Sequence, residues 1–208
     1  MNKTIKYIVG IVVLILVLYF SFDIQKLNVH KAANTNIQFN AKEFAQNFWE
    51  TQLTVCISNA PEISEVTKQL ELNPEIVFQN YAHKLGISKT HYLFVKGSGT
   101  IESVEDEFLL VRTGETTYIQ VATDFIFGNA VRDGSGEVDI NQFVNMTDFN
   151  NVSVALNKLA KEKVVSRLQK SAKVGMTIEF AGAAEINEEN IDVTTIRIIP
   201  VNAKLSDG

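Results

Sequence analysis

The chain has 208 residues, of which 46% are hydrophobic and 13 are phenylalanine, so it carries enough apolar material for a folded core. Its formal charge of −5 argues against nucleic acid as a partner. Its single cysteine, Cys56, excludes an internal disulfide.

The first predicted element is an apolar segment. Residues 7–22 are uncharged, with Lys3 and Lys6 before them and Asp23 after them. As a helix they would span about 24 Å, which is short for a membrane span and slightly long for the core of a cleavable signal. Because no pair of small residues marks a cleavage site, we favour an uncleaved anchor over residues 1–23, with a signal peptide as the alternative. The lysines predict a single-pass inner-membrane protein whose C-terminal domain lies in the periplasm or another extracytoplasmic space.

A linker and a helical subdomain follow. The polar, aperiodic residues 24–39 are expected to form a stalk. Residues 40–86 contain three predicted helix starts, at Asn40, Pro61 and Asn73. Asn40 resembles the first residue of a capping box, because Glu43 follows three positions later. This part of the chain is therefore predicted to be a small helical subdomain.

The pattern changes after residue 86. Five runs rich in Val, Ile, Phe, Tyr and Thr predict strands, over residues 92–101, 108–113, 117–127, 176–186 and 195–205. Pro200 interrupts the last run and predicts an edge strand. Between the third and fourth runs, apolar residues at helical spacing predict a helix over residues 149–170, with Asp148 as its N-cap. Lys163 interrupts the apolar face, which indicates that this helix bends or packs against two surfaces.

This order of elements predicts an α+β protein. Three strands, a long helix and two more strands are the order of an OB-like five-stranded antiparallel barrel, which we assign to residues 87–208. An open sheet with the helix packed on one face has the same order and stays an alternative.

A glycine-rich turn precedes the long helix. In the run Arg132-Asp133-Gly134-Ser135-Gly136, the glycines are expected to supply positive φ angles, and Asp133 and Ser135 to cap backbone amides. Arg132 and Asp133 are expected to form a buried or semi-buried ion pair that holds the turn to the barrel. A ligand-binding role for this pair is the alternative.

No motif predicts catalysis or a metal. The turn differs from an EF-hand loop, because Gly136 at position six would place Val131 and Gln142 at the first and twelfth ligand positions. The three histidines lack the spacing that would bring two imidazoles to one metal ion. No nucleophile motif or nucleotide-binding loop is present. We therefore predict no enzyme activity, no catalytic residue, no metal and no cofactor.

Several short motifs together resemble a known bacterial family, the predicted periplasmic lipoproteins (domain of unknown function 2291). These motifs are residues 128–133, Gly136, residues 143–145, Asp148-Phe149, Ser153, Asn157, Gly175, residues 180–185 and Pro200-Val201. The resemblance covers about residues 40–205 and is most specific around Arg132-Asp133. We take Asn129, Arg132, Asp133 and Asn145, which lie in or near the turn, as the candidate ligand or structural-turn residues.

The resemblance implies a helical subdomain joined to an OB-like barrel, an exported location and no established activity. It provides no catalytic residue, and it implies a genomic neighbourhood of sugar-transport genes. The chain departs from the lipoprotein pattern because no cysteine follows its apolar segment. A helical anchor is therefore expected in place of a lipid anchor.

The predicted function is that of a non-catalytic, membrane-tethered extracytoplasmic domain. Its expected partner is an envelope protein or a component of a sugar transporter. The alternative is a small-ligand module that binds a saccharide, because OB-like barrels bind such ligands on one face. A saccharide site requires exposed aromatic side chains, and the candidates are Tyr92, Phe94, Tyr118 and Phe125. A hydrolase is the least supported class.

Overall fold

A computed structural model describes residues 39–124, 126–194 and 196–207. The predicted anchor over residues 1–23 and nearly all of the predicted stalk lie outside these residues. Within the described ranges, none of the helices combines the length and the apolar character that a membrane crossing requires. The elements described below all belong to one compact unit, Asn40–Gly208. The predicted division of this unit between residues 86 and 87 stays a prediction.

Among the described residues, which begin at Phe39, four short helices precede the first strand. They are α1 (Ala41–Thr51), α2 (Leu53–Asn59), α3 (Ile63–Leu72) and α4 (Pro74–Asn80). Asn40 caps α1 as predicted, because its Oδ1 accepts the Glu43 N–H at 3.2 Å and its Nδ2 donates to the Glu43 carboxylate at 3.3 Å. After α4 the chain is extended, and His83 forms an antiparallel bridge with Tyr92 of the first strand.

Five strands close into a barrel in the order β1-β2-β3-β5-β4. They are β1 (Thr90–Val104), β2 (Phe108–Arg112), β3 (Tyr118–Ala122), β4 (Thr177–Asn187) and β5 (Arg197–Ser206). The 15-residue β1 closes the ring because it pairs with both β4 and β2. The barrel confirms the predicted OB architecture and excludes the open sheet.

The strand directions correct one part of the prediction. The β3–β5 pair is parallel, whereas the other four pairs are antiparallel. Directions must alternate around an antiparallel ring, and a ring of five strands cannot alternate throughout because five is odd. The prediction of a wholly antiparallel barrel was therefore wrong at this seam.

Pro200 lies inside the barrel and not on an edge strand, so that prediction was also wrong. Pro200 pairs with Gly182 and Asn202 pairs with Ala181, which leaves Val201 as the extra residue of a β-bulge. A bulge tolerates proline because the ladder is interrupted there. Gly182 permits this close pairing, since a Cβ at that position would collide with the Ile199 carbonyl oxygen.

The predicted helix between β3 and β4 is present as α6 (Met146–Ala160), which continues into a π-helical segment (Lys161–Val165) and α7 (Ser166–Ser171). Its N-cap is Asn145 and not Asp148. The Asn145 Oδ1 accepts the Asp148 N–H at 2.8 Å, and its Nδ2 donates to the Asp148 carboxylate at 2.8 Å. The prediction placed the start three residues late because both residues favour caps.

The π-helical segment explains the interrupted apolar face. A π turn holds more residues than an α turn, so it rotates the side chains that follow it. Consequently Lys163, which a regular helix would place on the apolar stripe, is exposed, while Val164, Val165 and Leu168 are buried. The first part of the helix packs mainly against α1, whereas Val164 and Leu168 of the later part join the hydrophobic core of the barrel.

Candidate functional site

The glycine-rich turn forms the first part of the candidate site. Ala130–Asp133 forms a single helical turn, α5, after β3. Gly136 has a positive φ of 69° as predicted, but Gly134 has a helical φ of −66°. Gly134 is required for another reason, because a Cβ there would lie 2.7 Å from the Ala130 carbonyl oxygen and 3.2 Å from the Leu93 backbone. The turn therefore packs directly on the backbone of β1.

Arg132 and Asp133 form a buried two-point ion pair. Arg132 Nε lies 2.6 Å from Asp133 Oδ1, and Nη2 lies 3.0 Å from Oδ2. The two side chains are 1% and 3% exposed. Arg132 Nη1 also donates to the Phe149 carbonyl oxygen at 3.0 Å, and the guanidinium carbon lies 3.5 Å from the centroid of the Phe149 ring. The pair therefore ties α5 to the first turns of α6.

The negative charge of Asp133 contributes to the raised pKa of one residue on β1 and one on β4. Burial, followed by Glu185 and Asp133, raises the pKa of Tyr92. Burial, followed by Asp133, raises the pKa of Glu185. Tyr92 and Glu185 are direct partners across the β1–β4 pair. Burial and the Asp133 charge thus both disfavour the ionised forms of Tyr92 and Glu185.

The two predicted asparagines have different surroundings. Asn129 is half-buried directly before α5, and its carbonyl oxygen accepts the Asp133 N–H at 2.8 Å. Asn145 is exposed and caps α6. Asn129, Arg132 and Asp133 therefore share one turn, while Asn145 serves the start of the next helix. A ligand role for these four residues stays a prediction.

The aromatic residues proposed for a saccharide site do not share one exposed face. Tyr92 is half-buried and Phe94 is 4% exposed, while Tyr118 on β3 is 37% exposed. Phe125 lies outside the described residues. A different aromatic side chain, Phe127, is 73% exposed. It was predicted to end the third strand, but β3 ends at Ala122.

Phe127 borders a cleft of about 420 Å³ between α5 and the end of the β4–β5 hairpin. Apolar atoms of Ala130, Ala183 and Ile199 line part of it. Its polar side chains come from β4, β5 and the loop between them, and they are Glu185, Asn187, Asn190, Asp192 and Arg197. Amides, carboxylates and a guanidinium therefore face a space bordered by one aromatic ring.

Two of the charged groups in the cleft are held by the surrounding backbone. Arg197 Nη2 donates to the Asp124 carbonyl oxygen at 2.8 Å. Asp192 Oδ1 accepts the Thr194 N–H at 2.8 Å and the Thr194 hydroxyl at 2.6 Å. These contacts fix the orientations of both side chains. Less side-chain conformational entropy is therefore lost when a ligand binds.

Sequence reasoning missed this cleft. Its residues come from two segments about sixty positions apart, and the polar residues after β4 have the composition of an ordinary hairpin turn. The available signals were a run of Asn and Asp residues and a separate aromatic-rich segment. No local pattern indicated that these two segments would lie side by side in the fold. Within the described ranges, no group of three or more His, Cys, Asp or Glu residues is placed to hold a metal ion.

Comparisons with known proteins agree with this fold. The family model described as "Predicted periplasmic lipoprotein (DUF2291)" matches residues 12–204. A crystal structure of an OB-fold protein from Thermotoga maritima superposes with a TM-score of 0.73 at 26% sequence identity, covering 82% of this chain and 100% of that one. No curated protein matches the chain.

Proposed function

This chain belongs to the family of predicted periplasmic lipoproteins with domain of unknown function 2291, and from that premise we propose that it is a non-catalytic binding protein of the cell envelope. Its cleft between α5 and the β4–β5 loop takes a small neutral saccharide. Loops at this position of an OB barrel, between the fourth and fifth strands, are a recurrent ligand-binding element.

The observation that carries this proposal is the exposed ring of Phe127 beside a cleft lined with amides and carboxylates. A pyranose ring offers an apolar C–H face that packs on an aromatic ring, and hydroxyl groups that donate to carboxylates and amide oxygens. The cleft volume of about 420 Å³ falls within the usual range for small-molecule sites. The cleft is lined by two carboxylates, Glu185 and Asp192, and one guanidinium, Arg197, and this balance favours a neutral ligand over an anionic one.

A protein partner is the second candidate, and the exposed apolar residues of the helical part favour it. Leu72 is 71% exposed, Ile76 is 40% exposed and Ile87 is fully exposed. A partner that covers these side chains would remove their apolar surface from water. The partner would be an envelope protein or a component of a sugar transporter that receives the bound saccharide.

The family supports an extracytoplasmic location, and the apolar segment is the basis for a proposed membrane anchor. We infer that residues 7–22 hold the protein in the inner membrane as an uncleaved helix, with the barrel on the extracytoplasmic side. N-terminal sequencing of the protein from its native membrane should then find a start before residue 20. A start beyond that residue would establish cleavage and refute the helical anchor.

Replacing Phe127 by alanine should weaken saccharide binding by about tenfold, because the stacking surface is lost. Full-length protein in a detergent without a sugar headgroup is titrated with a panel of neutral mono- and disaccharides by calorimetry. Tyr118→Ala is the matched control, since this exposed aromatic residue lies on β3 and does not line the cleft. Absence of saturable binding across the panel, or an equal loss in the control, would refute this site.

A further inference from the structure

The β4–β5 loop that forms one wall of the cleft is attached to β1 through its first residue, Glu188. One carboxylate oxygen of Glu188 accepts from Lys89 Nζ at 2.8 Å, and the other accepts from His91 Nε2 at 2.8 Å, with Lys84 Nζ at 3.5 Å. The Glu188 N–H also donates to the Lys89 carbonyl oxygen at 2.9 Å. Glu188 itself does not line the cleft.

The β1 end of this attachment is rigid. His91 is 5% exposed. Its ring stacks on Phe78, with centroids 4.0 Å apart and an angle of 18° between the planes. Phe78 belongs to the main hydrophobic core. The imidazole therefore cannot follow the loop outward without leaving its stacked position in the core.

The charge of Glu188 is strongly stabilised in the folded protein. Hydrogen bonds from Lys89 and then His91 lower the pKa of Glu188 from 4.5 to about 2. Because the folded-state pKa is depressed, this contribution to stability is complete above pH 4.5 and is lost as the pH falls toward 2. The Glu188 carboxylate is therefore ionised in the folded protein at every pH from 4.5 upward.

We propose that Glu188 is a positioning residue, which holds the β4–β5 loop in the conformation that forms the cleft wall and so sets ligand affinity without contacting the ligand. The effect on affinity rests on the function proposed above. The effect on loop order does not, because it follows from the contacts of Glu188 alone.

Hydrogen exchange on the full-length protein tests the loop directly. In Glu188→Ala, the backbone amides of residues 189–194 should exchange about tenfold faster than in the wild type, because two charge-assisted hydrogen bonds to the loop are lost. Glu189→Ala is the matched control, since Glu189 is the next residue and is exposed. Equal exchange in the two variants would overturn the proposal. Glu188→Gln, which keeps the size of the side chain, replaces Glu188→Ala if that variant does not fold.

Two further measurements separate this proposal from the one it rests on. An NMR titration of the Glu188 carboxyl should give a pKa of about 2 in the wild type and a value closer to 4.5 in Lys89→Met, whereas the same value in both would overturn the attachment.

Saccharide affinity should fall in Glu188→Ala and not in Glu189→Ala. A looser loop with unchanged affinity would overturn the positioning role. A looser loop in a protein that binds no saccharide would refute the proposed function but leave the attachment standing.

Discussion

Replacing Arg132 by methionine should lower the free energy of unfolding by about 3–5 kcal/mol, because the substitution leaves the Asp133 carboxylate buried without its counter-charge. Asp133 is 3% exposed, so water cannot replace the guanidinium. The variant also loses the hydrogen bond to the Phe149 carbonyl oxygen, which joins α5 to α6. Urea denaturation measures the loss, and an unchanged slope against urea would show that the unfolded state is unaffected.

The chain contains a matched control for this prediction. Arg112 pairs with Glu102 at the same Nε–O distance of 2.6 Å, but these side chains are 41% and 38% exposed. Arg112→Met should therefore cost much less than Arg132→Met, because water can solvate the exposed Glu102 carboxylate. The double variant Arg132→Met, Asp133→Leu should recover most of the loss, since it removes the stranded charge. Similar losses for Arg132→Met and Arg112→Met would show that the buried pair does not hold the turn.

Replacing Phe149 by alanine should cost about 3–5 kcal/mol, because the side chain is removed from a packed site and leaves a cavity. Phe149 is 1% exposed and its ring lies against both Arg132 and Phe143. Met146→Ala, at the start of the same helix, is the control; Met146 is 53% exposed, so its loss should stay within about 0.5 kcal/mol. Thermal and urea unfolding of both variants give the comparison.

The effects of Arg132→Met and Phe149→Ala on stability should also be coupled. The guanidinium carbon of Arg132 lies 3.5 Å from the centroid of the Phe149 ring, so each residue is part of the other's surroundings. The loss in Arg132→Met, Phe149→Ala should therefore be smaller than the sum of the single losses by about 0.5–3 kcal/mol. Strict additivity would indicate that the stacked contact contributes nothing beyond the separate burial of the two side chains.

Much of the barrel could be predicted because its signals are local. Alternating and β-branched residues marked all five strands, and the spacing of Phe149, Val152 and Leu156 marked the long helix. The N-cap at Asn40 was also correct, since it involves residues three positions apart. The same locality limited these predictions. Asn145 and Asp148 were equally good caps by composition, and only the folded helix distinguishes them.

The turn at Arg132 shows where local reasoning was incomplete. The sequence indicated that Arg132 and Asp133 would pair, because they are adjacent and opposite in charge. It did not indicate that Phe149 would lie beneath the guanidinium, or that Gly134 would lie against the backbone of β1. These contacts join residues far apart in the chain, so no local pattern encodes them.

The sequence by itself determined the order of the five strands and of the long helix between them, since hydrophobic period and turn residues act within a few positions of one another. Only the tertiary structure decided the parallel β3–β5 seam, the bulge that accommodates Pro200, and the cleft beside Phe127. The physical reason is ring closure. Joining β1 to β4 and β3 to β5 imposes directions and bends that no single strand requires, and it brings Phe127 beside a hairpin loop about sixty residues later in the chain.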